Sequence, residues 1–472
     1  MIARTPSPLA DARADLTGRR AAVVGAGKTG LSAVRFLRAA GARVALTDTR
    51  ADPPALADPE AKEGLAEIAL GGLDGSLLAR QELVVVSPGV PLAESAIRAA
   101  AAAGVPVIGD VELFGRYAGA PVVAITGSNG KSTVTTLVGA MFEAAGRSVR
   151  VGGNLGTPAL QLLDDHVPEA YVLEVSSFQA EGLDTFRPQV GVLLNLSADH
   201  LDRYPDERAY YAAKLRLFAN MGAGDVAVLN GDDPEVRGHA GRLPAEVRRV
   251  WFGTGAPEPG DAGLTEENGA RWLALGGTAS PEPVLPERDW PLVGAPNRLN
   301  ALAALAAGRA AGLEDTAMAR AMRGFGGLPH RMEPVATVGG VRYVNDSKGT
   351  NLGAVASALE GLEGRWVWIA GGVNKGGDFI ALRPVLAAHC REAVLIGEAS
   401  AEIADAVADV VPVHQANDMR AAVRRAAKVA RPGDTVVLSP GCTSFDQYPN
   451  FEARGEDFRA AVATLEAQHA LR

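Results

Sequence analysis

The chain has 472 residues, with 46 Lys and Arg against 55 Asp and Glu, a formal net charge of -9 and two cysteines, Cys390 and Cys442. That length exceeds the ~250–300 residues at which one hydrophobic core stops growing, so two to four domains are expected. The interspersed acidic balance excludes nucleic acid or an anionic membrane as the main partner, and two cysteines are too few for a disulfide framework and fit a reducing compartment.

The N-terminal segment, MIARTPSPLADARADL, lacks the apolar stretch of a signal peptide, and no later run reaches the ~20 apolar residues of a membrane span. A cytoplasmic monomer is expected. Short apolar runs bounded by Gly, Asp or Ser alternate with Ala- and Leu-rich helical stretches along nearly the whole chain, the pattern of mostly parallel sheets covered by helices. An α/β protein of three Rossmann-like or P-loop-like domains follows, at 1–110, 111–326 and 327–472.

In the first block, strands are expected at 21–25, 44–47 and 83–87. Gly25-Ala-Gly-Lys-Thr-Gly30 follows the first of them, and Asp48 closes the second, as in a dinucleotide fingerprint. The same loop can cradle a nicotinamide dinucleotide, the diphosphate of a nucleotide sugar, or nothing beyond a glycine turn.

The second block opens with a strand at 122–126 running into Gly127-Ser-Asn-Gly-Lys-Ser-Thr133 and an apolar-periodic helix. Strand, glycine loop and helix in that order form a nucleoside-triphosphate site. Backbone N–H groups at a helix start favour phosphate, Lys131 can neutralise the β- and γ-phosphates, and a Ser132 or Thr133 hydroxyl can ligate Mg²⁺. Further strands are expected at 172–175, 192–195 and 226–230, with Glu174 and His200 at or just beyond the carboxyl edge, where α/β ligands bind.

Glu174 and His200 could hold a second Mg²⁺, but they are a thin set for a hard cation. Only seven lysines occur among the 46 basic residues, and Lys131, Lys214, Lys348 and Lys375 sit in motifs built largely of small and polar residues. Lys214 reads either as a salt-bridging helix lysine or as a site of carbamylation that would give a carboxylate-like metal ligand. After the Pro/Gly/Glu-rich stretch 255–291, expected to form small antiparallel strands or loops, helix returns at 297–311. The third block restarts with strands at 341–345, 366–370, 393–396 and 435–438.

Together these motifs resemble the Mur ligases. The strings that carry the resemblance are Ser87-Pro-Gly-Val-Pro91, Thr126-Gly-Ser-Asn-Gly-Lys-Ser-Thr133, Gly152-Gly-Asn-Leu-Gly156, Glu174-Val-Ser-Ser-Phe-Gln179, Leu328-Pro-His-Arg331, Asn345-Asp-Ser-Lys-Gly-Thr-Asn351 and Asp446-Gln-Tyr-Pro-Asn-Phe-Glu452. They span nearly the full chain, and the last four are more specific than any phosphate loop.

The resemblance implies an ATP- and Mg²⁺-dependent ligase with a UDP-binding, an ATP-binding and an amino-acid-binding domain. Its expected substrates are UDP-N-acetylmuramoyl-L-alanine and D-glutamate, joined through an acyl phosphate. It implies ATP contacts from Gly127, Ser128, Asn129, Gly130, Lys131, Ser132, Thr133, Asn297, Asn300, Arg331 and Asp346. Lys28, Thr29, Asp48, Thr49, Asn154, Ser176 and Gln179 are implied for the UDP substrate, and Lys348, Thr350, Lys375, Ser444 and Phe451 for D-glutamate. Lys131, Glu174, His200 and Lys214 are the implied catalytic set, with Ser132, Glu174, His200 and carbamylated Lys214 at the metal. Two departures stand out: Ser128 where Thr is common, and Pro296 where many relatives have His.

Overall fold

The computed structural model describes residues 7–201, 203–292 and 294–470. Residues 1–6, on which part of the signal-peptide expectation rests, lie outside that range. The described N-terminus is a helix, Pro8–Leu16, whose first turn is capped by the Ser7 side chain. No helix among the described residues is long and apolar enough to cross a membrane.

The chain divides into two compact units, Met1–Asp289 with Asn300–Gly324, and Trp290–Leu299 with Phe325–Arg472. The first unit holds two sheets. One is a five-stranded parallel sheet in the order Glu67–Leu70, Arg43–Asp48, Arg20–Val24, Leu83–Val86, Val107–Gly109. Its central strands are almost wholly buried, as expected where helices cover both faces.

Strand order reverses between Arg20–Val24 and Leu83–Val86, which brings the loops beginning at Gly25 and Ser87 together at the carboxyl edge. The approach is tight. A Cβ on Gly25 would lie 2.9 Å from Ser87 Cβ, and one on Gly30 would lie 1.8 Å from the Gly25 carbonyl oxygen. Two of the three fingerprint glycines are therefore required by packing alone.

The second sheet has nine strands: Pro281–Pro286, Ala270–Gly276, Ala262–Glu267, Arg248–Phe252, Val226–Asn230, Val190–Leu193, Val122–Thr126, Ala170–Glu174, Val149–Gly153. The three from 262 onward form the expected antiparallel meander. The reversal falls at Val122–Thr126, so the phosphate loop leaves the sheet flanked by the ends of Val190–Leu193 and Ala170–Glu174.

A buried carboxylate ties the first two sheets into one unit. Glu112, in the helix Asp110–Tyr117, is fully buried and accepts the N–H groups of Asp184, Thr185 and Phe186 at 2.9, 3.0 and 2.9 Å, with Thr185 Oγ1 at 2.6 Å. Gly109 N donates to Gly182 O alongside it, where a Cβ on Gly182 would come within 2.6 Å of Gly109 N.

The second unit is built on a six-stranded sheet in the order Glu333–Val338, Val341–Asn345, Thr435–Leu438, Trp366–Gly371, Cys390–Ile396, Val413–Gln415, antiparallel only at its first pair. The returning strand Thr435–Leu438 lies between two earlier ones. Its following loop is thereby placed beside the loops that leave Val341–Asn345 and Trp366–Gly371.

Candidate active site

The phosphate loop is held open from behind by Asn195, the residue two past the end of the neighbouring strand Val190–Leu193. Asn195 Oδ1 accepts Asn129 N at 2.7 Å while its Nδ2 donates to Asn129 O at 3.0 Å, and Ser128 N donates to Asn195 O. Gly130 caps the helix Lys131–Ala144 with φ 86°, in the left-handed region, and a Cβ there would lie 2.3 Å from Asn300 Oδ1. Asn300 thus packs against the loop, with Asn297 one turn earlier in the helix Ala295–Ala310.

Lys131 folds back across the loop, its Nζ donating to the carbonyls of Gly127 and Ser128 at 2.9 and 2.8 Å. Ser132 Oγ donates to Glu174 Oε2 at 2.5 Å, and the other carboxylate oxygen takes Asn154 Nδ2 at 2.6 Å. Three residues read separately from the sequence are therefore one cluster. Thr133 is buried one residue on.

Lys214 lies deeper. Its side chain, in a residue only 1 % exposed, donates to Gly127 O at 2.8 Å and sits 4.5 Å from the Tyr210 ring centroid. Burial, and then the charge of Lys131, push its pKa well below the ordinary lysine value, while Asp199 and Glu174 pull it back. Helix geometry explains the stacking, since Tyr210 and Lys214 are four apart in Glu207–Leu215. The hydrogen bond to a neutral carbonyl replaces the salt bridge of the ordinary helix-lysine reading.

His200 has φ 55° and packs its ring 4.8 Å from Phe178 and 6.0 Å from Tyr210, with Nε2 3.7 Å from Asp199 Oδ2. Tyr210 Oη reaches Ser128 Oγ at 3.3 Å, so histidine, tyrosine and phosphate loop are contiguous. Among the described residues no group of three His, Cys, Asp or Glu is arranged to hold a metal. The Ser132 and Glu174 oxygens do suit Mg²⁺, a hard cation that takes one or two protein oxygens and fills its shell with phosphate and water.

At the first glycine loop, Asp48 is already engaged: Oδ2 accepts Ala26 N at 2.6 Å and Arg50 Nη2 at 2.7 Å, and Oδ1 takes Arg50 N and Nε. The Arg50 side chain is the main cause that holds its carboxyl at about 2. Asp48 thus fixes the loop and aims Arg50, while Thr49 beside it is exposed. Lys28 begins the helix after the loop and donates to Gly156 O at 2.6 Å, with half-buried Thr29 next to it.

Ser176 and Gln179 form a capping box at the helix Ser177–Glu181. The Gln179 amide also donates from Nε2 to Asp110 Oδ2 at 3.0 Å. Desolvation pushes the buried Asp110 carboxyl up from 3.8 to about 6, and its Oδ1 has no hydrogen-bond partner. A carboxyl raised on folding keeps its proton longer in the folded state, so its cost to stability grows as pH rises from about 4 to 6 and is complete above that window. Asp110→Asn, which retains an oxygen for Gln179, should therefore be relatively more stabilising at pH 8 than at pH 5, by about 1 kcal/mol. Urea melts at the two pH values measure it, and an equal effect at both contradicts the assignment.

In the second unit, Asp346 accepts Met332 N at 3.2 Å through Oδ1 and Ser439 Oγ at 2.8 Å through Oδ2. Burial pushes it up to about 7, against the pull of Ser439, Met332 and the nearby Arg331 charge. His330 and Met332 both have positive φ in the turn that carries Arg331, and Lys348 N donates to His330 O. Lys348 Nζ lies 3.9 Å from the Phe451 ring centroid, joining two residues that the resemblance assigned to one pocket.

Backbone bonds stitch the remaining members together. Gly441 N donates to Gly349 O, and Val373 and Thr443 pair in both directions, linking the segments that carry Thr350, Lys375 and Ser444. Ser444 is buried and Lys375 exposed. Sequence reasoning gave no role to Asn195, Asp110, Glu112, Arg50 or Tyr210; only Asn195, just past a strand end facing a glycine loop, carried a readable signal.

Comparison with known proteins gives one family along the chain. The model for the "Mur ligase MurD-like, N-terminal domain" matches 19–109, the "Mur ligase middle domain" 125–308, and the "Mur ligase, glutamate ligase domain" 330–442. The chain is 48% identical over 445 residues to the UDP-N-acetylmuramoylalanine--D-glutamate ligase of Nitrosococcus oceani, covering 94% of this chain and 96% of that one. It is 49% identical over 448 residues to the enzyme of the same name from Pseudomonas syringae pv. syringae, covering 94% and 97%. Among solved structures, the MurF ligase of Thermotoga maritima in complex with ADP matches with a TM-score of 0.61 at 18% identity, over 96% of this chain and 97% of that one. The UDP-N-acetylmuramate-alanine ligase MurC of the same organism matches with a TM-score of 0.59 at 18% identity, over 95% and 100%.

Proposed function

This chain belongs to the Mur ligase family, and from that premise we propose that it adds D-glutamate to UDP-N-acetylmuramoyl-L-alanine with cleavage of ATP to ADP and phosphate, a step of peptidoglycan precursor synthesis. The observation that carries this reading is near-full-length identity of about half to D-glutamate ligases, in a chain whose phosphate loop is intact. The protein acts as a monomer in the cytoplasm, with neither nucleic acid nor membrane as partner.

The substrate carboxylate attacks the ATP γ-phosphorus and ADP leaves, giving an acyl phosphate. The D-glutamate amine then attacks the acyl carbon, loses a proton, and expels inorganic phosphate as the amide forms. Anion meets anion in the first step, so the Lys131 ammonium lowers the barrier by neutralising charge on the transferring group. Ser132, Glu174, His200 and a carbamylated Lys214 would hold Mg²⁺, which when bound supplies further charge neutralisation at the phosphate oxygens.

Residues 1–110 take the UDP moiety through Lys28, Thr29, Asp48 and Thr49, with Asn154, Ser176 and Gln179 on the muramoyl-alanine. Residues 111–326 bind ATP, helped by Asn297 and Asn300. Residues 327–472 supply Arg331 to phosphate, Asp346 to ribose, and Lys348, Thr350, Lys375, Ser444 and Phe451 to D-glutamate.

Phosphate release from ATP, measured with UDP-N-acetylmuramoyl-L-alanine and D-glutamate, L-glutamate, L-lysine or meso-diaminopimelate, tests the assignment. Release with D-glutamate should exceed that with each of the others by about 100-fold. Release with another amine, and none with D-glutamate, would overturn it.

A further inference from the structure

Arg454, in the C-terminal helix Phe451–Ala470, is 1 % exposed and is among the largest fully buried side chains of the molecule. Its Nε donates to Ser347 Oγ at 3.0 Å. Nη1 donates to Gly371 O at 3.3 Å and Cys442 O at 3.1 Å, and Nη2 to Ser347 O at 2.9 Å and Cys442 O at 3.1 Å. Five donors meet five contacts, and every acceptor is a neutral oxygen.

Those acceptors lie on three segments at one edge of the sheet, Ser347 and Cys442 in loops and Gly371 at the last residue of its strand. Ser347 precedes Lys348 and Thr350, Gly371 leads into the segment with Lys375, and Cys442 precedes Ser444. Ser347 Oγ passes the connection on by donating to Phe451 O at 2.8 Å. All five residues assigned to D-glutamate are thus carried by segments that converge on one guanidinium. The glycines leave it room: a Cβ on Gly372 would come within 3.1 Å of Nη1 and 2.0 Å of Thr443 O.

No carboxylate forms an ion pair with Arg454 among the described residues. The adjacent Cys442 thiol, pushed up to about 12 by burial, stays neutral, while Arg454 itself, lowered to about 10, stays charged at neutral pH. Asp446 and Asp346 favour its charge only from beyond ion-pair distance; a buried cation so weakly compensated is costly, and an apolar side chain of similar volume often serves stability as well or better. Lysine has three donors and no planar fork, so it cannot span three segments in this way.

We infer that Arg454 is a positioning residue for the incoming amino acid, holding the three segments of its pocket in register and adding a third cation to Lys348 and Lys375 for a ligand with two carboxylates. This rests on the D-glutamate reading above. Arg454 touches no reacting atom; it acts through those segments.

The test is steady-state kinetics of Arg454→Lys and Ser347→Ala in the full-length enzyme, varying each substrate in turn, with circular dichroism melts as the fold control. Arg454→Lys keeps the charge but loses the fork, and should raise the KM for D-glutamate about tenfold while the KM for UDP-N-acetylmuramoyl-L-alanine stays within about twofold. Ser347→Ala, which removes one acceptor, should raise the same KM by about threefold, and it decides the question if the lysine variant does not fold. A structural staple alone would lower the active fraction, reducing kcat with the D-glutamate KM unchanged, and that result in a folded variant overturns the inference. Wild-type enzyme that releases phosphate with D-glutamate keeps the functional reading intact in that event, whereas wild type inert toward D-glutamate removes the reading itself.

Discussion

A Lys131→Met enzyme should keep no more than about one part in a hundred to one part in a thousand of the wild-type kcat, a loss of roughly 3–4 kcal/mol of transition-state stabilisation. The size follows from where the ammonium sits. It opens the helix Lys131–Ala144, where backbone N–H groups already favour an anion, and is pinned by the Gly127 and Ser128 carbonyls. A cation held in that way needs little reorganisation when charge develops on the phosphoryl oxygens, and water cannot replace it as well. Methionine keeps most of the length of the side chain and removes the charge, together with the hydrogen bonds to the Gly127 and Ser128 carbonyls. The KM for ATP should rise less than kcat falls, because the charge matters most as the phosphoryl group transfers. Phosphate-release kinetics at saturating ATP measure the loss, and a Lys131→Met protein with more than about a tenth of wild-type kcat contradicts the assignment.

What the sequence disclosed was what is local. Val122–Thr126 was legible because five buried apolar or β-branched residues run straight into a glycine loop, and Lys131 because its motif is contiguous. Strands with weak local signals escaped: Glu67–Leu70 is largely exposed, Val107–Gly109 has three residues, and Arg248–Phe252 begins with two arginines. Contacts formed by distant residues escaped for a different reason. Asn195 clamps Asn129 across 66 residues, Asp110 meets Gln179 across 69, Glu112 caps Asp184 across 72, and Arg454 reaches Ser347 across 107. None of these polar residues stands out from a helix cap or a solvated face until the sheets bring its partner close. The family resemblance reached the residues it assigns to the substrates and passed over those that hold them.

Lys214→Arg should reduce kcat by about a hundredfold or more, although it preserves the formal charge of a lysine. The side chain is enclosed, with its Nζ on the Gly127 carbonyl and its stem beside the Tyr210 ring. A permanently charged, wider guanidinium placed there would stand against Lys131 and crowd the loop that carries it. The lysine can relieve that conflict, because burial and the charge of Lys131 lower its pKa and so favour the neutral amine. A neutral amine can add to CO₂, forming the N–C bond and releasing one proton, and the carbamate presents two oxygens where the ammonium presented three donors. That product would attract Lys131 and would supply the hard oxygen donors that Glu174 and His200 alone lack for Mg²⁺. Wild-type activity should therefore fall in buffer stripped of CO₂ and recover on adding bicarbonate, and whatever activity Lys214→Arg retains should respond to neither. A fully active arginine variant would remove Lys214 from the metal site. A wild type indifferent to bicarbonate would leave the lysine as a neutral, buried support for Gly127, with its effect on rate exerted through the loop.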